Sequence, residues 1–552
     1  MNRIGGSSAF LSLLKDEGIS HLFGNPGTTE LPVMDALKNH GDLTYVLGLQ
    51  EALVVAMADG FSRASGKLAA CNVHVAPGLG NAMGSIYNAK FTGAPLIITA
   101  GQQEQGHGLT EPLLYDPLVP IAAPLVKWAT EITRLEDMPR VVRRAAKIAT
   151  TPPTGPVFLS LPGDVLNDEK GLDLGQSTRV DTATRPTDDT LTKLAARLVK
   201  AERPAFLVGQ EVVTSDAFDE IADFAAMLGA AVFQQTVPYG AHFPSEHPAY
   251  MGGLSRDQKE VRAILEDYDL LVVAGADVLR MSVWSETDPL PPDLPLIQLG
   301  QIDWEMGKNY PCEIAIRADL KPTITALLPV LKAKGGNSLT EAANRRLEAL
   351  QDRNWLAKRE QRIAKSTLRG AEHPIACDWL MMQIADCLPP DVVVVNEGLT
   401  SAASLPEMLP YRDRNSYHAF ASGGIGWALP AAIGIQLAHP ERPVVAVVGD
   451  GSSMYSIQAL WTAAHLDLPI TYVIPNNQGY RILKQRLLAF HGNDQYVGMD
   501  IQDPPIDFSA MARSMGMTAH RIEAPDEIRD ALTTSIESKR PTLLEVMVER
   551  QV

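Results

Sequence analysis

The chain repeatedly sets a short apolar or β-branched run ahead of a helical pattern. HLFG, LTYVLGL, LAACNVHV, PLIITAG and PVFLSLP do so in its first third. RPAFLVG, AAVFQQT, YDLLVVAGAD and LPLIQLGQI follow in the middle, then DVVVVNEG, PVVAVVGDG, ITYVIPNN and TLLEVMV. Strands separated by helix-length segments have to cross over and pair in parallel, with helices covering both faces of the sheet. The fold class is therefore α/β, with three doubly wound-type domains and mainly parallel sheets. The polar stretch NDEKGLDLGQSTRVDTATRP, which has no apolar period, reads as the first linker. A charged helix and coil, LKAKGGNSLTEAANRRLEALQDRNWLAKREQRIAK, marks the second boundary. The expected domains are 1–170, 187–335 and 365–552, a division that suits 552 residues because one hydrophobic core rarely supports so long a chain.

Charge and cysteine usage narrow the class of partner. A net charge of -17 argues against nucleic acid, whose nonspecific binding needs clustered Lys and Arg. A small-molecule substrate fits better. Cys71, Cys312, Cys377 and Cys387 form no CxxC pair and no zinc spacing, and read as reduced, buried thiols. No run approaches the roughly 20 apolar residues that span a bilayer, and the N-terminal apolar stretch is too short for a secretory signal. No membrane association and a cytoplasmic location are the expectations.

Two fragments of the last third carry chemistry, VVAVVGDGSSMYS and YVIPNNQGYRI. In open parallel sheets ligands bind beyond the carboxyl ends of strands, where helix N-termini offer unpaired N–H groups to anions. Asp450 ends the first run, flanked by Gly449 and Gly451, which let the backbone approach a phosphate. Asn477 ends the second, and Gly479 frees the chain to turn a carbonyl inward. A carboxylate, an amide oxygen and a backbone carbonyl, completed by phosphate oxygens and water, make the octahedral oxygen shell Mg²⁺ prefers. Either motif alone is equally readable as a turn, since Gly, Asp and Asn dominate turns. The pair is far more specific.

In the first third, Glu51 lies in YVLGLQEALVVAMADG, crowded by apolar neighbours that make a solvated carboxylate improbable. His74 ends the run NVHV, before GLGNAMG, which reads as a Gly-rich turn leading into a helix and lacks the dinucleotide spacing. Upstream, Asn25, Pro26 and Gly27 form a tight turn before Thr28 and Thr29. One threonine is expected to cap the helix ELPVMDAL while the other points into a site.

Taken together, FGNPGTTELP, LQEALVVAMADG, NVHVAPGLGNA, TAGQQ, GGIGWALPAAIG and GDGSSMYSIQALWTAAHLDLPI resemble the thiamine diphosphate-dependent 2-oxo acid decarboxylase and acetolactate synthase superfamily. The chain is most similar to its benzoylformate decarboxylase branch, nearly end to end and least in the middle. The resemblance implies a pyrimidine-binding, a central and a diphosphate-binding domain, thiamine diphosphate with Mg²⁺, and sites shared between subunits. A homodimer is then the minimum and a homotetramer the expected assembly. It places Asp450, Asn477 and the carbonyl of Gly479 on the metal. Asn25, Pro26, Gly27, Leu399, Thr400, Gly451, Ser452, Tyr455 and Tyr480 fall near the cofactor, with Gly423 offering a carbonyl to the aminopyrimidine and Ile425 bending the cofactor. Glu51 becomes the carboxylate that activates the aminopyrimidine ring, and Thr28 and His74 the substrate-orienting pair, with Thr29 and Ile482 beside the substrate. FAD in the central domain has precedent in such a superfamily, but nothing in these residues indicates it.

Two positions depart from the branch's pattern. Ser282, in VVAGADVLRMSVWSE, stands where a second histidine is expected, so proton transfer differs or uses water. Arg486, in NNQGYRILKQRLLAF, stands about where an aromatic residue faces the substrate. It suits a polar or anionic tail, or else is a solvated helix charge. The implied reaction is non-oxidative decarboxylation of a 2-oxo acid to an aldehyde and CO₂. Its rivals are acyloin-forming or acyloin-cleaving carboligation and a catalytically silent subunit of the same fold.

Overall fold

Each of the three alternating regions folds into a parallel sheet in the computed structural model, which describes residues 3–552. The first sheet contains β1 (His21–Gly24), β2 (Thr44–Leu47), β3 (Ala69–Val73), β4 (Leu96–Gln102), β5 (Ala129–Glu131) and β6 (Val157–Pro162), in the order β2-β1-β3-β4-β6-β5. The central sheet is built from β7 (Pro204–Val208), β8 (Ala231–Gln234), β9 (Tyr250–Gly253), β10 (Leu270–Ala274), β11 (Leu296–Gly300) and β12 (Ile314–Arg317), ordered β9-β8-β7-β10-β11-β12. Towards the C-terminus, β13 (Val393–Glu397), β14 (Val444–Val448), β15 (Ile470–Asn476), β16 (Thr518–Ile522) and β17 (Thr542–Met547) pair in parallel as β13-β14-β15-β17-β16. The inner strands are buried along their whole length, as runs such as VVAVV require.

The chain packs as two compact units, one of Met1–Val180, Ala371–Ala403 and Phe420–Val552, the other of Asp181–Gly370 and Ser404–Ala419. The first and last sheets thus share one unit. Within it, helix α1 (Glu51–Ser65) is capped by Gln50, whose side chain accepts from the Ala52 amide at 2.6 Å, and it stops at Gly66, φ 69°. Helix α2 (Val75–Thr92) starts directly after His74. The glycines of GLGNAMG therefore lie inside a helix and form no turn, a correction to the sequence expectation. Gly78 has a packing reason for being there, since a Cβ would come within 2.8 Å of the Glu51 carboxylate.

Helix α3 (Ala428–Ala438) is apolar on all sides but for Gln436 and buried from Ala428 to Gln436. It crosses α1 at backbone contact distance: a Cβ on Gly434 would fall 1.9 Å from the Met57 carbonyl oxygen, and one on Gly60 2.4 Å from that of Ala431. Backbone cannot yield as a side chain can. We expect Gly434→Val to destabilise the protein by about 3 kcal/mol, the upper part of the overpacking range, in urea unfolding. Gly41→Ala, where a Cβ meets nothing within 4 Å, should change it by less than about 0.5 kcal/mol.

The central sheet has the strand order of a dinucleotide-binding fold, with its switch point between β7 and β10. The crevice there holds the protein's own anion. Glu211, just past β7, accepts from the Gln301 amide at 2.6 Å and also from that of Ile302, and a Cβ at Gly275 or Gly300 would run into its side chain. Burial pushes this carboxyl up from 4.5 to about 7, with Asp319 and Asp277 adding to the rise and the two amides opposing it. The native state then keeps a proton that the unfolded chain releases, so stability is greatest below the ordinary carboxyl pKa and falls as pH rises towards 7. The fall should amount to about 3 kcal/mol. Urea unfolding between pH 5 and 7.5 should show that descending limb, and Glu211→Gln should flatten it.

Candidate active site

At the ends of β14 and β15, two of the sequence-predicted ligands stand side by side. Asp450 opens a single helical turn, Asp450–Ser453, and is 4% exposed. One of its carboxylate oxygens accepts from the Gly451 amide at 2.7 Å and the other from the Gly479 amide at 3.3 Å. Burial raises its pKa, and only backbone amides, of Gly451, Gly479, Gln478 and Asn477, oppose the rise. A carboxylate so placed lacks the charge partner that burial demands, and a divalent cation would supply it. The Asn477 side chain is buried, and its Nδ2 donates to Ser401 Oγ at 3.0 Å, so the amide oxygen is the atom available as ligand.

The surroundings suit a phosphate group as well. A Cβ on Gly451 would meet the Tyr480 ring at 2.7 Å, so glycine keeps backbone accessible there. Ser452 Oγ is buried beside Glu397 without a hydrogen bond of good geometry. Leu399 (φ 48°), past the end of β13, and Gln478 (φ 57°), past the end of β15, hold the left-handed conformation on either side of the β14 end, strain of the kind that gathers at binding sites. Tyr455 is exposed, and Thr400 lies in the 3₁₀ turn Leu399–Ala402 with Ser401. An acid, an oriented amide, small residues and an orphaned hydroxyl are a donor set that fits a cation carrying a diphosphate. Among the described residues no cluster of three or more His, Cys, Asp or Glu side chains forms an alternative metal site.

A second group forms around the end of β3. Glu30, buried beneath the Asn25–Gly27 turn, accepts from the Gly27 amide at 2.9 Å, the Gly101 amide at 2.7 Å and Thr29 Oγ1 at 2.9 Å. It then binds His74 Nδ1 at 2.8 Å, with Thr29 Oγ1 3.3 Å from the same nitrogen. A carboxylate acceptor fixes the proton on Nδ1 and leaves Nε2 for a ligand. Neither threonine caps the helix: both lie in the 3₁₀ turn Thr28–Glu30, whose N-cap is Gly27 and whose Glu30 reaches back to the Gly27 amide, and the helix Leu31–Leu37 that follows has Glu30 in its cap position with no side-chain cap hydrogen bond. Thr29 is committed to Glu30, whereas Thr28 is exposed. Val75, directly after His74, has φ 32°, an unfavourable value for a β-branched residue.

Glu51 is 7% exposed at the first turn of α1 and accepts from Asn81 Nδ2 of α2 at 3.0 Å. Among the described residues no hydrogen bond or ion pair joins it to the Asp450 group. Gly423 (φ 80°) and Ile425 lie on the segment leading into α3, whose first amides are held by Glu397: Gly426 and Ala428 donate to its two oxygens at 2.5 and 2.7 Å. Burial pushes the Glu397 carboxyl up to about 7 against these amides. Helix α4 (Arg481–His491) follows the Asn477 turn. It carries half-buried Ile482 and exposed Arg486, whose guanidinium stands 5.7 Å from the centre of the Phe490 ring. Ser282 belongs to the other unit, two residues from exposed Trp284. Of the cysteines, all four of them free, Cys71 and Cys377 are buried but Cys312 and Cys387 are partly exposed, which corrects the expectation of four buried thiols. No helix among the described residues is long and apolar enough to cross a membrane.

Glu30, Asn81, Ser401 and Glu397 are functional candidates that the sequence reading passed over. Glu397 had the same signal as Asp450, an acid at the end of an all-apolar run. Asn81 and Ser401 had none, because their partners are distant in sequence, and Glu30 has local partners in Gly27 and Thr29 but meets Gly101 and His74 only in the fold.

Three domain models of the thiamine pyrophosphate enzymes match the chain: the N-terminal TPP binding domain at residues 4–113, the central domain at 191–327 and the C-terminal TPP binding domain at 400–546. A benzoylformate decarboxylase of Pseudomonas aeruginosa is 32% identical over 543 residues, covering 98% of each chain. An acetolactate synthase large subunit of Haemophilus influenzae is 27% identical, over 98% of this chain and 93% of that one. Among solved structures, the thiamine diphosphate-dependent 4-hydroxybenzoylformate decarboxylase of Rhodococcus jostii RHA1 superposes with a TM-score of 0.86 at 29% identity, over 99% of this chain and 100% of that one. Benzoylformate decarboxylase of Polynucleobacter necessarius gives 0.88 at 29% identity, over 99% of both. With these motifs and this extent of likeness, the chain belongs to the thiamine pyrophosphate enzyme family.

Proposed function

We propose that the protein is a thiamine diphosphate- and Mg²⁺-dependent carboxy-lyase that converts a 2-oxo acid into an aldehyde and CO₂ without oxidation. The observation that carries the reading is the buried Asp450, without a cationic partner in its surroundings, beside an Asn477 amide turned by Ser401. The decarboxylase relatives point the same way. Bound thiamine diphosphate supplies a carbon nucleophile for the 2-oxo carbonyl and an electron sink when CO₂ leaves.

The chain's own residues do the rest. Asp450, the Asn477 amide oxygen and the Gly479 carbonyl hold the cation, with Gly451, Ser452, Tyr455, Tyr480, Leu399 and Thr400 around the diphosphate. Asn25, Pro26 and Gly27 line the cofactor, and Gly423 and Ile425 seat its pyrimidine side. Glu51 would be the carboxyl that faces the aminopyrimidine, and the Asn81 hydrogen bond would orient it to hold a proton there. Thr28 and His74 orient the substrate carboxylate and carbonyl oxygen. With Nδ1–H given to Glu30, His74 takes up or returns a proton at Nε2. Ser282 leaves the proton relay without a second histidine. Ile482 and Arg486 border the substrate, and the guanidinium suits a polar or anionic tail.

The pyrimidine-binding, central and diphosphate-binding domains correspond to 1–170, 187–335 and 365–552, assembled as a homodimer or homotetramer with sites between subunits. Glu211 already takes up amides at the central crevice, which favours an enzyme without flavin. Carboligation is the second reading, favoured by the acetolactate synthase relatives.

Protein stripped with EDTA, dialysed and reloaded with thiamine diphosphate and Mg²⁺ tests the reading against pyruvate, benzoylformate and branched 2-oxo acids. CO₂ with aldehyde is the expected product, an acyloin or acetohydroxy acid marks ligation, and no turnover with any acid defeats both readings. Glu51→Gln should bind cofactor as the wild type does yet lose at least about 10²-fold in kcat, by steady-state kinetics and calorimetric titration. Ser401→Ala frees the Asn477 amide to rotate, and should weaken Mg²⁺ binding about 10-fold in a titration of the stripped protein.

A further inference from the structure

The segment Ala421–Trp427, which carries Gly423 and Ile425, has buried polar partners at both ends. At its start, Asn88 of α2 turns its Oδ1 towards three donors: the Ala421 amide at 2.9 Å, the Ser422 amide at 3.3 Å and Ser422 Oγ at 3.3 Å. Ser422 Oγ in turn accepts from the Gly424 amide at 3.3 Å. At its end, the Trp427 indole donates to Asp59 of α1 at 2.6 Å, while Glu397 takes the Gly426 and Ala428 amides. Asn88 and Asp59 are themselves joined, Asn88 Nδ2 donating to Asp59 at 3.0 Å, with Thr92 Oγ1 at 3.4 Å from the other oxygen. Arg63 supplies the countercharge and stacks 4.6 Å above the Trp427 ring.

Asp59 and Asn88 are both 0% exposed. Burying a carboxylate and an amide inside an apolar helix crossing is costly unless every hydrogen-bonding atom is used, and here each is. Stability alone would be served as well by apolar packing of similar volume. Hydrogen bonds on each side-chain oxygen and nitrogen of Asp59 and Asn88 fix geometry instead, since these partners fit in one arrangement only. Their donors fall on Ala421, Ser422 and Trp427, leaving Gly423, Gly424 and Ile425 spanning between fixed points. Gly424 is also close to α2, where a Cβ would come within 3.1 Å of the Gly84 carbonyl oxygen, and Gly426 is packed on Tyr455.

We propose that Asn88 and Asp59 are positioning residues that hold the span Gly423–Ile425 in the shape that receives the cofactor. The proposal rests on the reading that this span meets thiamine diphosphate. The helices that carry them also carry the other chemistry: Glu51 opens α1, and α2 begins after His74 and brings Asn81 to Glu51. One buried network therefore sets the cofactor span against the helices of the acid–base groups.

The test uses full-length protein, with Asn88→Ala removing the acceptor of the first anchor and Trp427→Phe removing the donor of the second while keeping a ring. Thiamine diphosphate affinity is measured by calorimetry at saturating Mg²⁺, and amide hydrogen exchange is followed across the chain. Each variant should weaken cofactor binding at least 10-fold and speed exchange of peptides covering 420–428 at least 10-fold. Peptides covering 444–453 and 470–480 should exchange as in wild type, and KM for the 2-oxo acid at saturating cofactor should stay within 3-fold. Wild-type cofactor affinity in both variants overturns the proposal, as does accelerated exchange spread evenly over the chain. Wild-type protein that binds no thiamine diphosphate overturns instead the reading beneath it. Should Asn88→Ala fail to fold, Ser422→Ala, which loses one donor and keeps the two amides, must still weaken binding measurably, and an unchanged affinity there is equally fatal.

Discussion

The larger unit is joined across the crossing of α1 and α3, which ties its first region to its last. Two helices can approach to backbone contact only where glycine faces backbone, and Gly60 and Gly434 meet that condition from opposite sides. The same closeness excludes water, so the polar side chains caught there must satisfy one another. Asp59, Asn88 and Trp427 do so, and the crossing thereby becomes directional as well as apolar. Van der Waals contact alone would tolerate small slides of one helix along the other; a 2.6 Å hydrogen bond from an indole to a carboxylate does not.

The carboxylates of this unit show how one residue type serves different ends. Glu397 and Asp450 end neighbouring strands and both accept backbone amides. The amides on Glu397 belong to the start of α3, so it acts as a distant cap that ties a helix to a strand. Those on Asp450 belong to its own turn and to the turn after β15, so it draws two strand ends together around a point where a cation fits. Glu30 does neither. It gathers Gly27, Gly101 and Thr29 in order to present itself to His74, and its role is expressed through the imidazole.

Much of this was legible in the sequence because it is written in short apolar runs. VVAVV and VVVVN can scarcely be anything but buried parallel strands, and an acid or amide at their ends stands where ligands bind. What was not legible depends on distance along the chain. Glu30 finds Gly101 at a separation of 71 residues, and Asp59 finds Trp427 at 368, so no local pattern could announce them. Local rules also misled. Thr28 and Thr29 have the composition of an N-cap, yet both fall inside a 3₁₀ turn capped by Gly27, Thr29 is engaged with Glu30, and the helix starts only at Leu31 with Glu30 in its cap position. GLGNAMG has the composition of a turn, yet it is helical, because burying Gly78, Leu79 and Ala82 along one face outweighs the backbone entropy of its glycines.

The His74 arrangement bears on how a chain with serine at 282 can complete a decarboxylation. Two proton movements are needed, one as the substrate oxygen develops charge and one as the aldehyde forms. Two histidines can divide that labour, whereas in the proposed reading a single imidazole must keep one ring nitrogen turned towards the reacting oxygen. Glu30 supplies that orientation: its carboxylate, 2.8 Å from Nδ1 and itself fixed by two amides and a hydroxyl, holds the ring in one tautomer and direction. Ring rotation is blocked by the same bond, so Nε2 faces one direction through both steps. A proton taken there can be returned there.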